Sequence, residues 1–169
     1  MSRPPLLVVF VAVLVIALGE LGGAALSQLR PATARWAAAR ITANAAAHGL
    51  SGSAEYDDAV RERAVFTVEA GLSFFHLHAE GMGLVLFFAS TLVASVVRSA
   101  VARRALYALL TAGALFPLGY LVYALAVVEL GRDDGVAFAE TWVLSPLGTA
   151  AIAGLIGLAI ALARRAEVR

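Results

Sequence analysis

Four long apolar runs constrain this chain more than any other feature of its sequence. They cover 5–29, 70–97, 105–129 and 141–163, and each is long enough to cross the ~30 Å hydrocarbon core of a bilayer as a helix. The sequence is 61% hydrophobic and 15% charged, whereas soluble domains are about half apolar and about 25% charged. We therefore predict an all-α integral membrane protein, with residues 1–169 forming a single four-span domain folded as a four-helix bundle.

The first apolar run has a second interpretation, as a secretory signal. Arg3 precedes the apolar stretch and the small residues GGAA follow it, as they do in signal peptides. The stretch is longer than the apolar core of a usual signal. We therefore expect an uncleaved first transmembrane helix.

The connection between the first two spans is long, and its sequence is helical. In the segment 31–69, Pro31 is placed to begin a helix, because proline is favoured at the first helical position. The sequence 51–53 is typical of a turn and helix cap, so the second helix is expected to begin near Ala54. Two arrangements are open: an outward-facing helical hairpin, or an interfacial helix lying on the membrane with Trp36 towards the lipid.

Loop charges predict the orientation. The connection 98–104 holds three arginines and no acid, and the C-terminal tail after 163 holds three arginines and one acid. The connection 129–140 is acidic overall. Because basic loops stay in the cytoplasm, we expect a multi-pass protein of the cell membrane with its N- and C-termini cytoplasmic.

Composition excludes several classes of function. The chain has no cysteine, which excludes disulfides, iron–sulfur clusters and cysteine-ligated zinc. A net charge of +1 gives no indication of nucleic-acid binding. The sequence contains no nucleophile elbow, so it does not indicate a class of enzyme.

Apart from Glu129 at the last position of the third run, acidic and histidine side chains occur in only two of the four apolar runs. The first run contains Glu20, and the second contains His76, His78 and Glu80. Ionisable groups inside a membrane are costly and usually have a partner or a task. Because successive residues in a helix differ by about 100°, His76 and Glu80 share one face, while His78 lies on the opposite face.

These groups belong to a polar layer in the outer third of the membrane. At about 1.5 Å per residue, Glu20, His76 and Glu80 lie at similar depth, and polar residues of the third and fourth helices reach the same level: Tyr120, Tyr123, Ser145 and Thr149. Imidazole with carboxylates suits transition metals. The layer predicts a transition-metal site at His76, Glu80 and Glu20, or a haem with His76 or His78 as axial ligand, used in electron transfer or metal handling.

The stretch His76-Leu77-His78, followed by an apolar run, resembles the His-x-His membrane helix of haem-copper-oxidase-like and NnrS-type proteins. The resemblance covers about a tenth of the chain. It implies haem or metal ligation by His76 and His78. The chain departs from this pattern by carrying Glu80 inside the motif and no histidine in its last two spans.

Two other functions fit the same residues. A non-catalytic accessory or assembly subunit of a larger membrane complex would use the polar layer to orient helices, and small residues at Ala153, Gly157 and Ala161 would allow close packing with other subunits or in a homo-oligomer. A proton-coupled transport component would use a Glu–His–Glu relay. The inner half of the predicted spans offers no matching acid or histidine, which argues against a complete transport path.

Overall fold

A computed structural model describes residues 3–166, and within them the chain is entirely helical. Six α-helices follow one another: α1 (Leu6–Ala43), α2 (Ala54–Val96), α3 (Ala100–Ala114), α4 (Leu118–Leu130), α5 (Arg132–Ala139) and α6 (Ser145–Ala166). A π-helical turn, Glu140–Leu144, joins α5 to α6. The described part of the chain contains no strand, so the predicted all-α class is confirmed.

Four helical stretches in the described part are long and apolar enough to cross a membrane. They are Leu6–Ala43, Ala54–Val96, Ala100–Leu130 and Arg132–Arg165. The third stretch combines α3 and α4, which are separated at Pro117 because proline has no backbone N–H to donate. The fourth combines α5, the π-helical turn and α6. The prediction of four spans is confirmed at this level of length and composition.

The first helix continues without a break through Pro31. The prediction of a separate helix starting at this proline was therefore wrong. Proline removes one backbone hydrogen bond from a helix, but its fixed φ is compatible with helical geometry. Tertiary packing compensates here, because Ala37 and Ile41 are fully buried against Val68 of α2.

The second helix begins at Ala54, as the sequence predicted. The turn before it is held by the buried Asp57 carboxylate, which accepts hydrogen bonds from the backbone N–H of Ser51 at 2.8 Å and of Gly52 at 2.9 Å. At about 1.5 Å per residue, the 38 residues of α1 and the 43 of α2 extend about 57 and 65 Å. Both helices thus exceed the ~30 Å core of a bilayer, and their packed ends form the helical hairpin, one of the two expected arrangements.

Small residues bring α3 and α6 close together. A Cβ added to Gly113 would lie 2.5 Å from the Cα of Ala151, and one added to Gly154 would lie 2.9 Å from Leu110. Gly157, in the predicted small-residue stripe, lies against Leu106 in the same way. At this glycine, the stripe serves packing within the chain.

Candidate functional site

Glycines of α1 make the space in which the candidate site is built. A Cβ on Gly23 would lie 2.5 Å from Cε1 of His76, and a Cβ on Gly19 would lie 2.9 Å from Cβ of Ala79. Gly22 lies in the same way against the ring of Phe75, at 2.8 Å. Because small residues let helix backbones approach closely, this segment of α1 receives the face of α2 that carries His76.

His76 donates its ring proton to a carbonyl of α1, and a carboxylate of its own helix lies beside the same nitrogen. Its Nδ1 lies 2.9 Å from the backbone carbonyl oxygen of Gly19 and 2.9 Å from Oε1 of Glu80. A carbonyl oxygen can only accept, so Nδ1 carries the proton. The predicted neighbour relation of His76 and Glu80 on one helical face is confirmed, and both side chains are about one-third exposed.

His78 lies on the other side of α2, as its position in the sequence predicted. Its Nδ1 donates to the backbone carbonyl of Phe74, one turn earlier, at 2.9 Å. Its ring packs among aromatic side chains, with centroid distances of 5.0 Å to Tyr120 and 5.7 Å to Phe116. Because α2 is unbroken through this region, His76 and His78 serve different neighbours and do not converge on one point.

Glu20 is not paired with the other two predicted metal ligands. Its residue is exposed, and within residues 3–166 it forms no hydrogen bond or ion pair with His76, Glu80 or any other group. It follows Gly19 directly, so it lies on the flank of the α1–α2 contact, about 100° around the helix from the packed face. The structure therefore brings two of the three predicted metal ligands, His76 and Glu80, within 2.9 Å of each other, and the third is not paired with either.

A metal ion would not find a ready cluster of protein ligands here. Across the described residues, no group of three or more His, Asp or Glu side chains is close enough to hold one. His76 and His78 each have the Nδ1 proton engaged by a backbone carbonyl, so in the neutral ring the lone pair of Nε2 is the free donor. Metal-binding histidines are typically oriented in this way, by a carbonyl or carboxylate on the other ring nitrogen.

A haem and a bare metal ion need different numbers of protein ligands. In a haem, the porphyrin supplies four nitrogen ligands and the protein supplies one or two axial ligands. A structural zinc site would instead need four protein ligands, or three for a catalytic site. Isolated and oriented imidazoles, such as His76 and His78, meet the first requirement and not the second.

Ion pairs tie α1 to its neighbours above the candidate site. Arg30 contacts Glu69 of α2, with Nη2 2.9 Å from Oε2. Further out, Arg40 holds Glu129 at the end of α4 through two nitrogens, Nε at 3.0 Å and Nη2 at 2.5 Å from Oε1. Both pairs are partly exposed. The first joins α1 to α2 and the second joins α1 to α4.

The part played by Gly19 and Gly23 was not predicted from the sequence. Their spacing of four residues was a usable signal, because small residues at that spacing mark close helix contacts in membranes. Gly23 also belongs to the GGAA stretch at 22–25, which fits the end of a signal sequence. In the structure, Gly19 supplies a hydrogen-bond acceptor for His76 and Gly23 leaves room for its ring.

Comparisons of this chain with protein-family models, with curated proteins and with solved structures found no match.

Proposed function

We propose that this chain is a four-span protein of the cell membrane that binds haem through an imidazole of its outer polar layer and serves electron transfer. His76 is the principal axial ligand, through Nε2. The observation that carries the proposal is the position of His76 Nδ1, which is hydrogen-bonded to the Gly19 carbonyl at 2.9 Å and lies 2.9 Å from the Glu80 carboxylate.

Glu80 has a defined part in this proposal. Oε1 of its carboxylate lies 2.9 Å from Nδ1 of His76, so its negative charge orients the ring and raises the basicity of Nε2, as carboxylates do for metal-binding histidines. It is a positioning residue and a proton partner of His76. His78 is the second ligand candidate, since its Nδ1 is engaged by the Phe74 carbonyl in the same way.

The test is an absorption spectrum with elemental analysis of protein purified in mild detergent after expression with haem supply. We expect a Soret band and stoichiometric iron in the unaltered chain, and the loss of both in His76→Ala. His78→Ala is the matched control, because it removes an equivalent imidazole from the opposite face of α2. In Glu80→Gln, we expect iron to be retained with a shifted reduction potential, since the axial ligand keeps a weaker partner.

Each result decides between specific outcomes. Protein without iron, zinc, manganese or copper overturns the metal proposal altogether. If the protein holds another metal in stoichiometric amount and loses it in His76→Ala, the haem proposal is wrong. The site then binds a bare metal ion, and a second chain must supply the remaining ligands. Iron lost in His78→Ala and kept in His76→Ala moves the axial ligand to His78.

A second candidate function, an accessory subunit of a larger membrane complex, is favoured by Glu20. This carboxylate is exposed and unpaired within residues 3–166, and a charge that faces lipid is costly. A donor from another subunit or from a second copy of the chain would remove that cost. Crosslinking in native membranes tests this: Glu20→Gln should reduce the yield of the complex, and an unchanged yield argues against the second candidate.

The proposed orientation has both termini in the cytoplasm, and it is testable because the chain has no cysteine of its own. We expect a membrane-impermeant thiol reagent to label Asp133→Cys from outside intact cells. Arg103→Cys, in the predicted cytoplasmic connection, should be labelled only after the membrane is opened. The reverse pattern would invert the orientation, and equal labelling of both would show that the chain does not separate two compartments.

A further inference from the structure

A groove lies at the end of the bundle opposite the hairpin. It has a volume of about 700 Å³ and lies between the α2–α3 connection and the last turns of α6. Its walls are apolar, formed by Val96, Ala102, Leu106 and Ile160, and its charged residues are Arg98, Arg164 and Arg165. A groove with an apolar wall and positive charge fits a ligand that has an apolar part and a negatively charged part.

Two of the three arginines have no partner within the described chain. Arg98 and Arg164 form no hydrogen bond or ion pair among residues 3–166. Arg165 donates through Nη1 to the backbone carbonyl of Ser95, in the last turn of α2. The groove lining contains no aspartate or glutamate, so no acid among the described residues that line the groove balances the charge of the first two guanidinium groups.

The groove lies at the level of a membrane surface if the chain spans the bilayer as proposed above, and the inference depends on that arrangement. It is where α2 ends at Val96 and α3 begins at Ala100, on the side with the basic connections. Guanidinium groups bind phosphate oxygens through paired hydrogen bonds. Basic pockets between membrane helices on the cytoplasmic side bind acidic lipid headgroups.

We propose that this groove binds one anionic phospholipid. The lipid phosphate pairs with Arg98 and Arg164, and an acyl chain lies along Leu106 and Ile160. The apolar wall favours a lipid over free phosphate, because phosphate alone would leave that wall uncovered. The unbalanced arginines favour a lipid with net negative charge over a zwitterionic one.

Native mass spectrometry of the protein in a neutral detergent tests the proposal. The probes are phosphatidylglycerol, phosphatidylcholine with the same acyl chains, and inorganic phosphate. We expect one phosphatidylglycerol to be retained. The double change Arg98→Gln and Arg164→Gln should weaken its binding by about 25-fold, on the basis of roughly five-fold for each arginine at a membrane surface.

Two further variants separate a built site from general attraction. Arg103→Gln with Arg104→Gln removes the same charge from the same end of the bundle but outside the groove, and we expect a much smaller loss of binding. Ala102→Phe fills the exposed groove wall and leaves every arginine in place. It should also weaken lipid retention, because the acyl chain loses its place.

The outcomes that overturn the proposal are distinct. Equal retention of phosphatidylcholine removes the role of charge, and an equal loss in the two double variants leaves only bulk electrostatic attraction. Displacement of the lipid by inorganic phosphate, with phosphate retained, identifies a free-anion site. The haem experiment tests His76 and His78, and the labelling experiment tests the orientation of the chain. A negative result in either one is therefore distinguishable from a negative result in the lipid-binding experiment.

Discussion

Gly23→Ala tests whether His76 is held where the structure places it. The new Cβ would lie 2.5 Å from Cε1 of His76 and 2.7 Å from its Nδ1, far inside van der Waals contact. Helix backbones packed along their length cannot easily separate, so the flexible imidazole must move. Its movement breaks the hydrogen bond to the Gly19 carbonyl and the contact with the Glu80 carboxylate.

The magnitude follows from two opposing effects. Overpacking a close contact costs about 1–3 kcal/mol, and each lost hydrogen bond adds roughly 0.5–1.5 kcal/mol. Alanine favours a helix over glycine by about 1 kcal/mol, which offsets part of this loss. We expect a net decrease of about 1–3 kcal/mol in the free energy of unfolding, because His76 is partly exposed and water replaces some of its hydrogen bonding.

Gly81→Ala is the matched control. Gly81 lies on α2 one residue after Glu80, and a Cβ added there meets no atom within 4 Å. The same chemical change should therefore leave stability unchanged or raise it by up to about 1 kcal/mol. Both variants are compared by reversible unfolding in mixed micelles of mild detergent and dodecyl sulfate, so that the helix-propensity effect cancels.

Equal stability of the two variants would refute the close α1–α2 contact at His76. A loss of stability in Gly23→Ala without any change in the His76 ring resonances would show that the backbones move and the imidazole stays. Only a loss of stability together with changed ring resonances supports the position argued here for His76.

Three further predictions concern packing and the hairpin. Gly135→Ala should lower the free energy of unfolding by about 1–3 kcal/mol or more, because its Cβ would lie 2.5 Å from backbone atoms of Ala126. Gly148→Ala, with its nearest contacts at 3.5 Å, should leave that free energy nearly unchanged. Thermal unfolding of both variants in one detergent gives the comparison, and matching values contradict the prediction. Asp57→Ala should lower the free energy of unfolding by about 1–3 kcal/mol, since two backbone N–H groups lose their acceptor. The rate of amide hydrogen exchange at Ser51 and Gly52 should rise in this variant. Unchanged exchange rates would show that the carboxylate does not hold the turn. Glu129→Gln should lower the free energy of unfolding by less than about 1 kcal/mol, because both Glu129 and its partner Arg40 are exposed. This loss of stability should become smaller in high salt, which screens exposed charges. A loss that salt does not alter would argue against an electrostatic origin.

The candidate site was predictable to the extent that helix periodicity determines it. The separation of four residues placed His76 beside Glu80, and the separation of two placed His78 on the other face, whatever the tertiary structure. The position of Glu20 was less predictable, because depth along a helix follows from residue number but direction around the helix depends on which face packs. Here Gly19 and Gly23 face α2, and this rotation puts Glu20 on the flank.

By itself the sequence determined the helical class, the number of apolar spans and the start of α2, because these depend on local composition and on the length of a bilayer-spanning helix. Only the tertiary structure decided that α1 continues through Pro31, since burial of Ala37 and Ile41 against α2 stabilises a helix that local signals would end. It also decided which acceptor holds His76. A carbonyl of another helix becomes available to His76 only when glycine lets the two backbones meet.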